Sequence, residues 1–134
     1  MTAHSKKILF VDDDEFQRKS MKKMLVRLGY DVEFAEHADA ALRILEKEAF
    51  PLIIVDLLMP DMDGIELCRR IRAINSEAVV YAFSGHLARF EPKHLEEIGF
   101  DGHLSKPIDI DKLKRSIEGA LSKTAQKGGA DGGR

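Results

Sequence analysis

The chain has 134 residues, a length that suits one domain with a substantial core. A net charge of -2 at pH 7 argues against direct nucleic-acid binding, and one cysteine, Cys68, excludes an internal disulfide. No apolar run reaches membrane-spanning length, and residues 1–7 lack the apolar core of a signal peptide, so a cytoplasmic protein is expected.

Ile8-Leu9-Phe10-Val11 is an apolar run that stops abruptly at Asp12-Asp13-Asp14-Glu15, a buried strand ending in acid. Met21, Met24, Leu25 and Leu28 then recur at helical spacing, and Gly29 is placed to end that helix in the left-handed conformation. Val32–Ala35 alternates weakly and reads as a short strand. Ala38, Ala41, Leu42 and Leu45 form one face of a second helix. Ile53-Ile54-Val55 is β-branched and apolar on both faces, as a central parallel strand is, and it stops at Asp56. A loop with Met59-Pro60 and Asp63-Gly64 leads to a helix carrying Ile65, Cys68, Ile71 and Ile74, with Cys68 expected to be buried as a small apolar residue. Residues 78–83 form the fourth strand, followed by Ser84-Gly85. Pro92 sits in the first turn of a helix that runs toward Ile98 and stops at Gly99. Gly102-His103-Leu104-Ser105 is the fifth strand, Lys106-Pro107 follows, and Ile110, Leu113, Ile117 and Leu121 mark the last amphipathic helix, with Asp109 or Asp111 near its start. Residues 1–5 are read as an extension. The tail 123–134 is rich in Gly, Ala, Lys and Asp without apolar periodicity and is expected to be mobile.

Five strands alternating with five helices imply an α/β fold, a doubly wound parallel sheet covered on both faces. Right-handed crossovers favour the flavodoxin-like strand order 2-1-3-4-5. That order brings Asp12-Asp13, Asp56, Ser84 and Lys106 to one edge, outside the carboxyl ends of the strands. Asp56 alone also reads as an ordinary strand-ending turn residue. Three carboxylates together repel, and a hard divalent cation such as Mg²⁺ relieves that cost. No Cys/His spacing suggests zinc. A hydroxyl and an ammonium beside such a metal suit phosphoryl oxygens, and an aspartate can accept phosphorus as a nucleophile. The set points to phosphoryl transfer onto a carboxylate.

On Val11-Asp12-Asp13-Asp14-Glu15, Val55-Asp56 through Met59-Pro60 and Asp63-Gly64, Ser84-Gly85 and Lys106-Pro107, the sequence resembles the receiver domains of two-component response regulators, over residues 6–122. The resemblance implies that Asp56 is phosphorylated by a sensor histidine kinase or a histidine phosphotransfer protein. It implies Mg²⁺ held directly by Asp13 and Asp56, by Asp12 mainly through metal-bound water, and by the backbone carbonyl of Leu58. Ser84 matches the hydroxyl that moves to meet the phosphoryl group, and Lys106 the lysine that pairs with it, before a proline bond that is commonly cis. The fourth helix, fifth strand and last helix would then form the switching face toward a downstream partner or a second copy. Activity would be self-phosphorylation with slow loss to water, not turnover. The pattern departs at His103, where the family usually has Tyr or Phe. An inward swing, gating by protonation and a surface or partner-contact role all stand for His103, the last favoured because histidine is mostly partly exposed.

Other motifs are weaker. Met21, Met24 and Met59 read as core filler, Asp61 and Asp63 as loop residues. His4, His37, His86 and His94 show no ligand spacing, though His86 could border the pocket and influence hydrolysis. The opening Phe10–Asp14 also fits a haloacid-dehalogenase-type phosphatase, with Asp12 as nucleophile and Asp14 as acid/base, yet that leaves Asp56 without a role. A flavin module of the same fold is disfavoured, because acidic strand ends repel a flavin phosphate without a metal.

Overall fold

Period-two alternation within the strands decides the layering. The computed structural model describes residues 7–57, 64–85 and 92–132, with backbone alone for Pro92 and 127–132. Its elements are β1 (Lys7–Val11), α1 (Glu15–Arg27), β2 (Asp31–Ala35), α2 (Ala38–Lys47), β3 (Leu52–Asp56), α3 (Gly64–Ile74), β4 (Val80–Ser84), α4 (Pro92–Ile98), β5 (Gly102–Ser105) and α5 (Ile110–Gly132). Among the described residues the strands form one parallel sheet in the order β2-β1-β3-β4-β5, the doubly wound order expected. Leu9, Val11, Ile53, Val55, Val80 and Ala82 face one core, with Ala38 and Ala41 of α2, Leu67, Cys68 and Ile71 of α3 and Leu95 of α4. Ile8, Phe10, Leu52, Ile54, Tyr81 and Phe83 face the other, with Met21 and Leu25 of α1 and Leu113, Ile117 and Ala120 of α5. Two helices thus cover one face and three the other. β3 is buried along its whole length, which explains its unbroken apolar run.

Local chemistry sets the helix ends. Asp14 caps α1, its side chain accepting from Phe16 N at 3.0 Å, and Asp109 Oδ1 accepts from Lys112 N at 2.8 Å. His37 Nδ1 takes the same role for α2, accepting from Ala40 N at 3.3 Å. Gly29 and Gly99 adopt φ of 92° and 128°; the first is the left-handed stop expected after α1, the second the stop expected after α4.

Three details differ from the sequence reading. Strand β4 starts at Val80 and reaches Ser84: Ala78 is buried but its N–H is spent on Asn75 O and its carbonyl on Arg72. Ile74, placed on the apolar face of α3 by periodicity, is 44% exposed; it is the last residue of the helix. The third is the tail. α5 runs to Gly132, where composition predicts a mobile segment. Lys123 Nζ donates to Asp101 O and stands 5.2 Å from the Tyr81 ring centroid, and Thr124 Oγ1 donates to Pro51 O. Those contacts carry the helix past residue 122.

The edge where β4 and β5 begin is closed by one arginine. Arg72 Nε donates to Gly99 O at 3.0 Å and Nη2 to Asp101 Oδ2 at 2.6 Å, while Nη1 donates to Ala78 O and, at 3.3 Å, to Ser76 O. Asp101 Oδ2 also accepts from Val80 N at 2.9 Å.

Candidate functional site

The opposite edge, where strands end, carries the candidate chemistry. β1 ends one residue before Asp12, whose N–H still pairs with Ala35 O at 3.1 Å. Its side chain is fully buried: Oδ1 accepts from Asp14 N at 3.0 Å, while Oδ2 has no hydrogen-bond partner among the described residues. Its carbonyl accepts from Arg18 Nη1 at 2.8 Å. Asp13, next along, is exposed. Asp56 is the last residue of β3, 5% exposed. α3 starts against it so closely that a Cβ on Gly64 would lie 2.5 Å from Asp56 O and 2.9 Å from Leu57 Cα. Only glycine admits that approach.

Ser84 ends β4, buried, and pairs with Ser105 of β5. Its carbonyl accepts from Lys106 N at 3.0 Å, so the backbone of Lys106 is tied to that of Ser84. The Lys106–Pro107 bond is cis, as the resemblance implies. Lys106 Nζ reaches 3.6 Å from Asp56 Oδ1 and 3.8 Å from Asp12 Oδ2, passing 5.1 Å from the Phe83 ring centroid. Among the described residues one ammonium therefore faces two buried carboxylates.

Electrostatics at Asp12 reflect that imbalance. Burial pushes its carboxyl up to about 6; the Asp14 N–H opposes the rise, the Asp56 charge adds to it and Lys106 opposes it. A divalent cation fits this donor set. Carboxylate oxygens of Asp12, Asp13 and Asp56 lie within 4.8 Å of one another, all ligands are hard oxygens, and Oδ2 of Asp12 is a buried acceptor without a hydrogen bond.

The structure thus brings Asp12, Asp13, Asp56, Ser84 and Lys106 to one edge. Leu58, Met59, Pro60, Asp61, Asp63 and His86 lie outside the described residues. His103 is exposed on β5, at register with Ala82. Asp14, the acid/base of the phosphatase alternative, spends Oδ1 on capping α1. Two contributions are not readable from the sequence. Arg18 is one of several polar residues on α1, and no spacing rule links it to Asp12. Gly64 belongs to the Asp63-Gly64 motif of the resemblance, but only the structure shows the room it leaves beside Asp56. Cys68 is inert in this setting: it is buried, and burial pushes its thiol up to about 11.

Comparison with known proteins agrees with this architecture. The family model for the response regulator receiver domain matches residues 8–118. The sensor histidine kinase RcsC of Salmonella typhi is 34% identical over 110 residues, covering 82% of this chain and 12% of that protein. The response regulator MprA of Mycolicibacterium vanbaalenii is 29% identical over 124 residues, 92% of this chain and 54% of MprA. The chain thus spans about half the length of one relative and a small part of the other. A CheY-like response regulator receiver domain protein from Methanospirillum hungatei superposes with a TM-score of 0.84 at 30% identity, covering 92% of this chain and 98% of that one. With the strand order, the acidic edge and the family match all in agreement, the chain belongs to the response regulator receiver domains of two-component systems.

Proposed function

We propose that this domain accepts a phosphoryl group on Asp56 from the phosphohistidine of a sensor histidine kinase or a histidine phosphotransfer protein, and loses it slowly to water. The observation that carries the reading is the placement of buried Asp56 at a strand end, 3.6 Å from Lys106 Nζ and beside a buried Asp12 oxygen that has no hydrogen bond among the described residues. One Asp56 oxygen attacks phosphorus; the new P–O bond forms as the P–N bond breaks, and the electron pair leaves with the imidazole. Lys106 and the Ser84 hydroxyl donate to the phosphoryl oxygens as charge shifts onto them. Asp12, Asp13, Asp56 and the carbonyl of Leu58 would hold Mg²⁺, which when bound neutralises charge on the transferring group. The protein is a phospho-acceptor and not a turnover enzyme, and we place it in the cytoplasm.

The charge on Asp56 would be read through the β4–β5 pair. Ser84 and Lys106 are bonded through their backbones, and His103 pairs two residues upstream in the same ladder. His103 stands between two surface grooves, one of about 390 Å³ toward α4 and one of about 260 Å³ toward α5. Phosphorylation favours whichever arrangement of this face binds the phosphoryl group better. The face of α4, β5 and α5 then docks a downstream protein or a second copy, with no direct nucleic-acid contact and no membrane insertion.

Acetyl phosphate with Mg²⁺ tests the nucleophile. Wild type should gain one acid-labile phosphoryl group per chain, and Asp56→Asn should bring labelling to background. Label kept by Asp56→Asn but lost by Asp12→Asn would sink the assignment in favour of the phosphatase reading.

A further inference from the structure

The carbonyl of Asp12 sits where β1 leaves the sheet. The Asp12 N–H still completes the ladder with Ala35, but β2 ends at Ala35 and the chain turns into α2 at Ala38. In place of a strand N–H, Arg18 Nη1 donates to this carbonyl at 2.8 Å. Arg18 is the fourth residue of α1, and helical side chains lean toward the helix N-terminus, so it spans its own first turn to reach back.

Three hydrogen bonds from beyond the acidic pair define the turn: Asp14 N–H to Asp12 Oδ1, Phe16 N–H to Asp14 Oδ1, and Arg18 to Asp12 O. The first two orient side chains. The third acts on the Asp12–Asp13 peptide itself, and through that plane on the direction in which the exposed Asp13 carboxylate leaves the backbone. We infer that Arg18 is a positioning residue for the metal: it fixes the Asp12–Asp13 peptide so that both carboxylates of the acidic pair are presented together. The inference rests on the phosphoryl-transfer reading above. It acts before chemistry, on the affinity for Mg²⁺, because Arg18 contacts the turn and not Asp56.

Calorimetric titration with Mg²⁺ reads this directly. Arg18→Met keeps the stem and removes the donors; it should weaken Mg²⁺ binding about tenfold, the usual cost of losing a group that orients a metal ligand. Arg18→Lys, with one donor at similar reach, should recover most of the loss. In acetyl phosphate labelling the half-saturating Mg²⁺ concentration should rise by the same factor in Arg18→Met, with the rate at saturating Mg²⁺ within about twofold of wild type. A lower thermal midpoint with unchanged Mg²⁺ affinity would make Arg18 merely structural and overturn the inference, as would an equal loss in Arg18→Lys. Should Arg18→Met not fold, Arg18→Gln, too short to reach, is judged by the same drop in affinity. If wild type itself binds no Mg²⁺, the phosphoryl-transfer reading fails and takes this inference with it; wild-type binding matched by Arg18→Met removes the inference alone.

Discussion

Where β4 and β5 begin, the Arg72 guanidinium spends all three nitrogens on carbonyls and on Asp101, and Asp101 in turn takes Val80 N–H. Where β1 and β3 end, the described residues offer a single ammonium, 3.6 and 3.8 Å from two buried carboxylates, and no hydrogen bond to Asp12 Oδ2. Both edges hold charge out of bulk water, and among the described residues one is satisfied and the other left short. Buried polar networks stabilise when complete and cost free energy when incomplete. The complete edge is therefore structural, and the incomplete one suits the cation and phosphoryl group of the proposed function.

Breaking the complete edge should have the largest effect on stability. Arg72→Met removes the guanidinium from Asp101 and from the carbonyls of Ser76, Ala78 and Gly99, and should lower unfolding free energy by about 3–4 kcal/mol, the low end for a severed buried pair because Arg72 retains some exposure. Urea unfolding measures this, with Mg²⁺ affinity unchanged in the folded variant. A drop in Mg²⁺ affinity would mean the two edges are coupled, and the contrast between them would fail.

At the incomplete edge the sign reverses. Folding raises the Asp12 carboxyl from 3.8 to about 6, so between those values the folded state binds more protons than the unfolded one. Stability then falls as pH rises across that window and stays low above it. The part due to Asp12 is up to about 3 kcal/mol, from about 1.4 kcal/mol per unit. Without metal, Asp12→Asn should gain on wild type by that amount between pH 4 and 7, and saturating Mg²⁺ should restore wild type's standing. A pH-independent difference between the two proteins would show that ionised Asp12 carries no such penalty.

The smallest effect sharpens the limit of the complete edge. Thr124→Val removes the hydroxyl that donates to Pro51 O and should cost about 1 kcal/mol in the same urea experiment. No loss would mean that the helix beyond residue 122 adds nothing to that edge.

Much of the fold was legible because strands and helices write their burial into periods of two and about four residues. The alternation of Ile8 to Val11 between two cores, the glycine stops at 29 and 99 and the exposure of His103 all follow local chemistry. The convergence of the candidate residues was legible for a topological reason: parallel strands in the order 2-1-3-4-5 bring Asp12, Asp56, Ser84 and Lys106 to one edge wherever the loops run.

Local pattern could not supply the partners. Arg72 and Asp101 are 29 residues apart, Lys123 and Asp101 22, and Thr124 and Pro51 73, and nothing in the composition of residues 122–132 marks a helix anchored to the sheet. The sequence determined which carboxylates meet. Which of them lacks a hydrogen bond, which glycine makes room beside Asp56 and which arginine steadies the acidic turn were decided by the tertiary structure, because hydrogen-bond satisfaction depends on the distances between groups far apart in the chain.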